Sequence, residues 1–101
     1  MRDVDKTLEE RGARYGAFDG HAFITQRLKN VMHSYQADSP FIGWYNMSAS
    51  QREALDMIAH KIGRILNGDP NYADSWHDIA GYATLVEKEI LAAQTSNGVK
   101  S

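Results

Sequence analysis

Apolar residues recur along this chain at steps of three and four, in stretches separated by short polar segments that hold its two prolines, Pro40 and Pro70. That period predicts helices, and the stretches predict four of them. The first opens at Thr7, where Thr7 and Glu10 have the spacing of a capping box, and runs to about Tyr15 before Gly16 stops it. The second begins near Asp19 or Gly20 and sets Ile24, Leu28, Val31, Met32 and Tyr35 on one face, predicted to be buried. Residues 36–49 break the pattern with Pro40, Gly43 and the aromatic group Phe41, Trp44 and Tyr45. They read as a loop that caps one end of the core, with a substrate-facing lid or a subunit contact as the alternative.

The third helix starts with a capping box from Ser50 and Glu53, or alternatively Ser48 and Gln51, and runs to about Asn67 before Gly68 and Asp69-Pro70. The fourth starts at Asp74 or Ser75, either of which can cap it, and runs to about Ala93. Ile79, Tyr82, Val86 and Ile90 share one of its faces, with Ala83 beside them. Helices three and four, joined by a short connection, are expected to be an antiparallel pair. No stretch alternates as a strand does. The expectation is an all-α, four-helix bundle, with residues 1–95 as a single domain and 96–101 as a flexible tail.

On a helical wheel, Leu55, Ile58, Ile62, Ile65 and Leu66 of the third helix fall within an arc of roughly 100°. Glu53, Asp56, His60, Arg64 and Asn67 fall opposite. The apolar arc is expected to be core. The polar arc is unusual for a solvated face, because Asp and Asn compete for the helix backbone and cost stability there. The fourth helix adds Asp74 and Asp78 at i,i+4, on one side. Asp74 alone is most simply an N-cap. Gly81, inside the same helix, costs about 1 kcal/mol against alanine, and close approach of a helix or ligand accounts for it.

Two antiparallel helices with an acidic pair each can gather three or four carboxylates. A hard divalent cation relieves their repulsion, and Mg²⁺ takes oxygen ligands while sharing itself with substrate phosphates. Lys61 and Arg64 border the same face and suit phosphate oxygens. His60 and His77 are secondary, since Mg²⁺ prefers oxygen.

Composition narrows the partners. Formal net charge is −2, with no long run of one sign, which excludes non-specific nucleic-acid binding through a basic field. There are no cysteines, so disulfides and thiolate chemistry are excluded. The polar N-terminus lacks a signal core, and no apolar run nears the roughly 20 residues of a membrane span. A cytoplasmic protein is expected.

The residues resemble a known pattern. Glu53-Ala-Leu-Asp56 on one helix, followed by Asp78 on the next, is similar to the paired acidic motifs of the MazG-like all-α nucleoside triphosphate pyrophosphohydrolases. Residues 74–86 (DSWHDIAGYATLV), with Tyr15-Gly16 and residues 60–68 (HKIGRILNG), also resemble a small phage and prophage family of unknown function with MazG-like helices. This chain has Asp56 where the enzymes have a second glutamate, and Ser75 three residues before Asp78 where they have another.

The resemblance implies Mg²⁺- or Mn²⁺-dependent hydrolysis of a nucleoside or deoxynucleoside triphosphate to the monophosphate and pyrophosphate. Glu53, Asp56 and Asp78 would be metal ligands and Asp74 a ligand or base. Lys61 and Arg64 would hold phosphates, and Trp44, Tyr45 or Tyr82 would stack on the base. It also implies a dimer or tetramer, in a bacterial host cytoplasm if phage-encoded. The second reading is a non-catalytic helical phage protein that binds a nucleotide or a host protein. Its hot spot would be the aromatic segment 41–47.

Overall fold

The computed structural model describes residues 3–34 and 43–96. The described residues form four α-helices in the expected order: α1 (Asp3–Tyr15), α2 (Phe18–Ser34), α3 (Ala49–Asn67) and α4 (Ala73–Ser96), with a 3-10 turn at Trp44–Asn46 before α3. They contain no strand, and the all-α expectation holds. Tyr35, Pro40, Phe41 and the tail 97–101 lie outside the described residues. The helix continues to Ser96, which the expected tail had included.

The helix ends correct several details. α1 opens at Asp3 rather than Thr7, with Asp3 and Asp5 in a first turn that favours negative charge. Thr7 lies one turn in, where its Oγ1 donates to the carbonyl of Asp3 at 3.0 Å. No capping box forms there. α2 opens at Phe18, one residue before Asp19. α3 uses the Ser48–Gln51 box, not Ser50–Glu53. Ser48 Oγ accepts from Gln51 N at 3.0 Å, and Gln51 Oε1 accepts from Ser48 N at 2.9 Å. Asp74 sits in the first turn of α4 and accepts a 3.1 Å hydrogen bond from the Tyr72 hydroxyl.

α3 is the centre of the fold. α2 packs along one side and α4 along another, while α1 rests more lightly on α2 and α3. The burial departs from the expected one. Among the described residues the buried apolar side chains are Trp44, Ala54 and Ala59, and His21, Thr25, Lys61 and Ser75 are buried beside them. On the apolar arc of α3, Ile58, Ile62 and Ile65 are half-buried, while Leu55 and Leu66 are exposed. On α2, Val31 is 73% exposed and Ile24, Leu28 and Met32 are half-buried. Among the described residues the expected core faces are only partly covered.

The α1–α2 turn is fixed to the end of α3. Gly16 has φ +79°, the left-handed region open to glycine, and a Cβ there would run into Asn67. Asn67 Nδ2 donates to the carbonyls of Tyr15 (2.8 Å) and Ala17 (2.7 Å). This explains an asparagine in the last turn of α3, where its propensity is poor. Gly68 then ends the helix, its N–H donating to Arg64 O at 3.0 Å.

Candidate functional site

Apart from Glu53, which is exposed, the polar arc of α3 is turned to α2 and the α1–α2 turn and is not a carboxylate cluster. It is a polar seam. At one end, His33 Nε2 donates to Asp56 Oδ1 at 2.8 Å, and the His33 ring lies 4.2 Å from that of Trp44. Trp44 is 7% exposed, so it caps the core and is closed to a nucleobase. Tyr45, beside it, is exposed. In the middle, His21 Nε2 and His60 Nδ1 meet at 3.3 Å, with Thr25 Oγ1 at 3.5 Å from His21 Nε2. At the other end, the Arg64 guanidinium lies 4.1 Å from the centre of the Tyr15 ring, and Asn67 holds the α1–α2 turn.

Gly63 permits this close approach. A Cβ there would run into Thr25 Oγ1 and stand 3.0 Å from His21 Nδ1. Burial lowers the pKa of His60 to about 4, helped by the neighbouring His21 and Arg64. Burial likewise lowers His21, followed by the charge of Arg64. Both rings are therefore neutral near pH 7, which suits an N–H···N contact between them.

Across α3, Lys61 Nζ donates to Asp78 Oδ2 of α4 at 2.9 Å. The Lys61 side chain is 11% exposed and that of Asp78 42%. The hydrogen bond from Lys61 holds the Asp78 carboxyl below the usual carboxylate range. Asp78, His77, Gly81 and Tyr82 line a shallow depression of about 480 Å³ on α4. No atom lies within 4 Å of a Cβ built on Gly81, so among the described residues no helix explains that glycine.

The predicted acidic residues are thus divided. Asp56 and Lys61, five positions apart, point about 140° away from each other. Asp56 faces α2 while Lys61 faces Asp78. Glu53 is exposed and lies two turns, about 12 Å, along the axis from Lys61. Among the described residues no three His, Cys, Asp or Glu side chains form a group able to hold a metal ion. The pair brought together is Lys61–Asp78, with Asp74 one turn before Asp78 on the same side of α4. An ionised, partly open carboxylate still suits Mg²⁺, which needs only one or two protein carboxylates when phosphates supply the rest.

Sequence reasoning missed His21, His33 and Tyr15. Their signals were present: His21 and Thr25 lie one turn apart on α2, and Gly63 interrupts α3 where they pack. Neither glycine nor histidine enters an apolar-period argument, so the seam stayed hidden.

The fold and these contacts define a small all-helical domain built on one central helix with two unlike faces. The chain belongs to the family described as Domain of unknown function (DUF6378), which it matches over residues 1–90. No curated protein and no solved structure matches it. Among the described residues no helix is long and apolar enough to cross a membrane.

Proposed function

We propose that this chain binds a nucleotide as its divalent-metal complex at the Lys61–Asp78 pair and, in the MazG-like manner, releases pyrophosphate from a nucleoside or deoxynucleoside triphosphate. The supporting observation is the 2.9 Å contact between a nearly buried lysine and a more open carboxylate on facing helices. In the free chain the ammonium neutralises Asp78. A metal–phosphate complex offers both groups an exchange: the cation meets Asp78, the phosphate meets Lys61. Asp74 and Tyr82 border this place on α4 as a further carboxylate and a ring for the base. Bound Mg²⁺ or Mn²⁺ would supply an activated water and charge neutralisation. A phage or prophage source and a bacterial cytoplasm, which the resemblance suggests, belong to the same proposal.

The test is pyrophosphate release from a panel of canonical and modified nucleotides with Mg²⁺ or Mn²⁺. Asp78→Asn should lower it at least about a hundredfold. Absence of release from every nucleotide, together with no thermal shift by nucleotide and metal, sinks the proposal. Release lost but binding kept in the wild type supports the second reading, a non-catalytic binder of a nucleotide or host protein. The separation of Asp56 from Asp78 favours that reading.

The same proposal includes a homodimer. α3 and α4 frame an apolar groove with Met47, Ala54, Leu55, Ile58, Val86 and Ile90 in its lining. Leu85 and Leu91 are also exposed on α4. A second copy is the natural cover. Two antiparallel helix pairs packed face to face make a four-helix core, and a two-fold axis requires one self-complementary patch. Among the described residues the groove carries only Gln51, Glu87 and Gln94 as polar residues, so a like patch meets no wall of like charge.

A further inference from the structure

The polar seam ends, beside the α1–α2 turn, in a pocket of about 640 Å³ that the metal–nucleotide reading does not use. α1 gives it Arg11 and Tyr15, the start of α2 gives Phe18 and His21, and α3 gives His60 and Arg64. The pocket is held open by fixed parts. Asn67 ties both carbonyls flanking Gly16, and Asp69 N donates to Arg14 O at 2.6 Å. A ligand there would not have to order the turn first.

Its electrostatics are one-sided. Among the described residues two guanidinium groups line it, and no carboxylate does. Arg64 lies over the Tyr15 ring, a contact that leaves its charge in place. The two histidines are neutral and add no positive charge, in keeping with cations close by. A local charge of two positives thus sits on a chain of net −2. Guanidinium forks match phosphate oxygens in pairs, and a phosphate monoester carries about two negative charges at pH 7. At the mouth, the Phe18 ring is 79% exposed and tilted against His21, with ring centres 6.2 Å apart. An exposed ring beside a phosphate cradle suits a planar base.

We infer that this pocket binds a nucleoside monophosphate without metal, its phosphate on Arg11 and Arg64 and its base on Phe18. The volume is within the usual range for small-molecule sites. A triphosphate would bring more negative charge than two arginines balance, and Lys61 and Asp78 are not among the lining residues. The inference does not depend on pyrophosphate release.

The test is titration of the full chain with nucleoside monophosphates in EDTA, followed by calorimetry and by NMR of the histidine rings. Saturable binding is expected, with the His60 titration moved upward because an anion offsets the charge of Arg64. Arg11→Ala should weaken binding at least about tenfold. Arg27→Ala removes a cation that lies over Phe23 on α2, outside the pocket, and should change nothing. Asp78→Asn should lower pyrophosphate release at least about a hundredfold and keep this binding, so the two claims fail separately. No binding at millimolar ligand overturns the inference. So does equal weakening by Arg11→Ala and Arg27→Ala, or a free nucleoside that binds as tightly as its monophosphate.

Discussion

The two faces of α3 differ in how they are satisfied. The face toward α2 is polar and largely paired: Asp56 has His33, His60 has His21, and Asn67 has two backbone carbonyls, while the buried His21 Nδ1 lacks a hydrogen-bond partner among the described residues. The other face is apolar and left open, with Leu55 and Leu66 exposed and the groove against α4 unfilled. Polar contacts have direction and fixed partners, so one chain can complete them. Apolar burial scales with area, and among the described residues four helices leave much of this face exposed.

The sharpest way to break this contrast is at the open face. Ile90→Glu places a charge in the groove and should convert the proposed dimer, about twice 11.3 kDa, to a monomer in light scattering after size exclusion. A variant that still runs as the wild type shows that the groove is not the interface.

The next effect tests the closed face. Gly63→Ala gains about 1 kcal/mol in helix propensity, but the methyl meets Thr25 and His21, and such overpacking costs about 1–3 kcal/mol. Thermal melts should show a loss of several degrees. A higher melting temperature would mean that α2 and α3 lie further apart.

Acid probes the same seam more gently. In the unfolded chain histidines take up protons below pH 6.5, while folded His60 stays neutral down to about 4. In that window the unfolded state binds more protons, so stability should fall as pH drops from 6.5 toward 4. Asp78, whose folded pKa is lowered by Lys61, adds a loss of the same sign in the carboxylate range. His60→Gln should flatten the histidine part of the slope in a series of melts at different pH. An unchanged slope would take His60 out of the account.

The smallest effect is expected at the half-open end of the ladder. His33 and Asp56 are 34% and 24% exposed, and water screens such a pair. His33→Gln should cost under about 1 kcal/mol by denaturant titration, and a much larger loss would make this end a true core contact.

Much of the fold was legible in the sequence. The helix count, the stop at Gly68 and the wheel that divided α3 into two faces all followed from periodicity and caps. The assignment of those faces did not. Hydrophobic period says which residues avoid water, and it is silent on whether the cover comes from the same chain. The ladder was hidden because its partners, His21 and His33, lie on α2 among residues that the apolar argument passes over. Of the candidate site, the sequence placed Lys61 and Asp78 on neighbouring helices. It could not give the register of α3 against α4, and that register carries Glu53 two turns away.

Asn67 also orders events during synthesis. Its amide ties together backbone some 50 residues earlier in the chain, across the α1–α2 turn. Until α3 has been made to its last turn, the carbonyls of Tyr15 and Ala17 have no such partner. The lock on the α1–α2 turn is therefore a late contact in the order of synthesis.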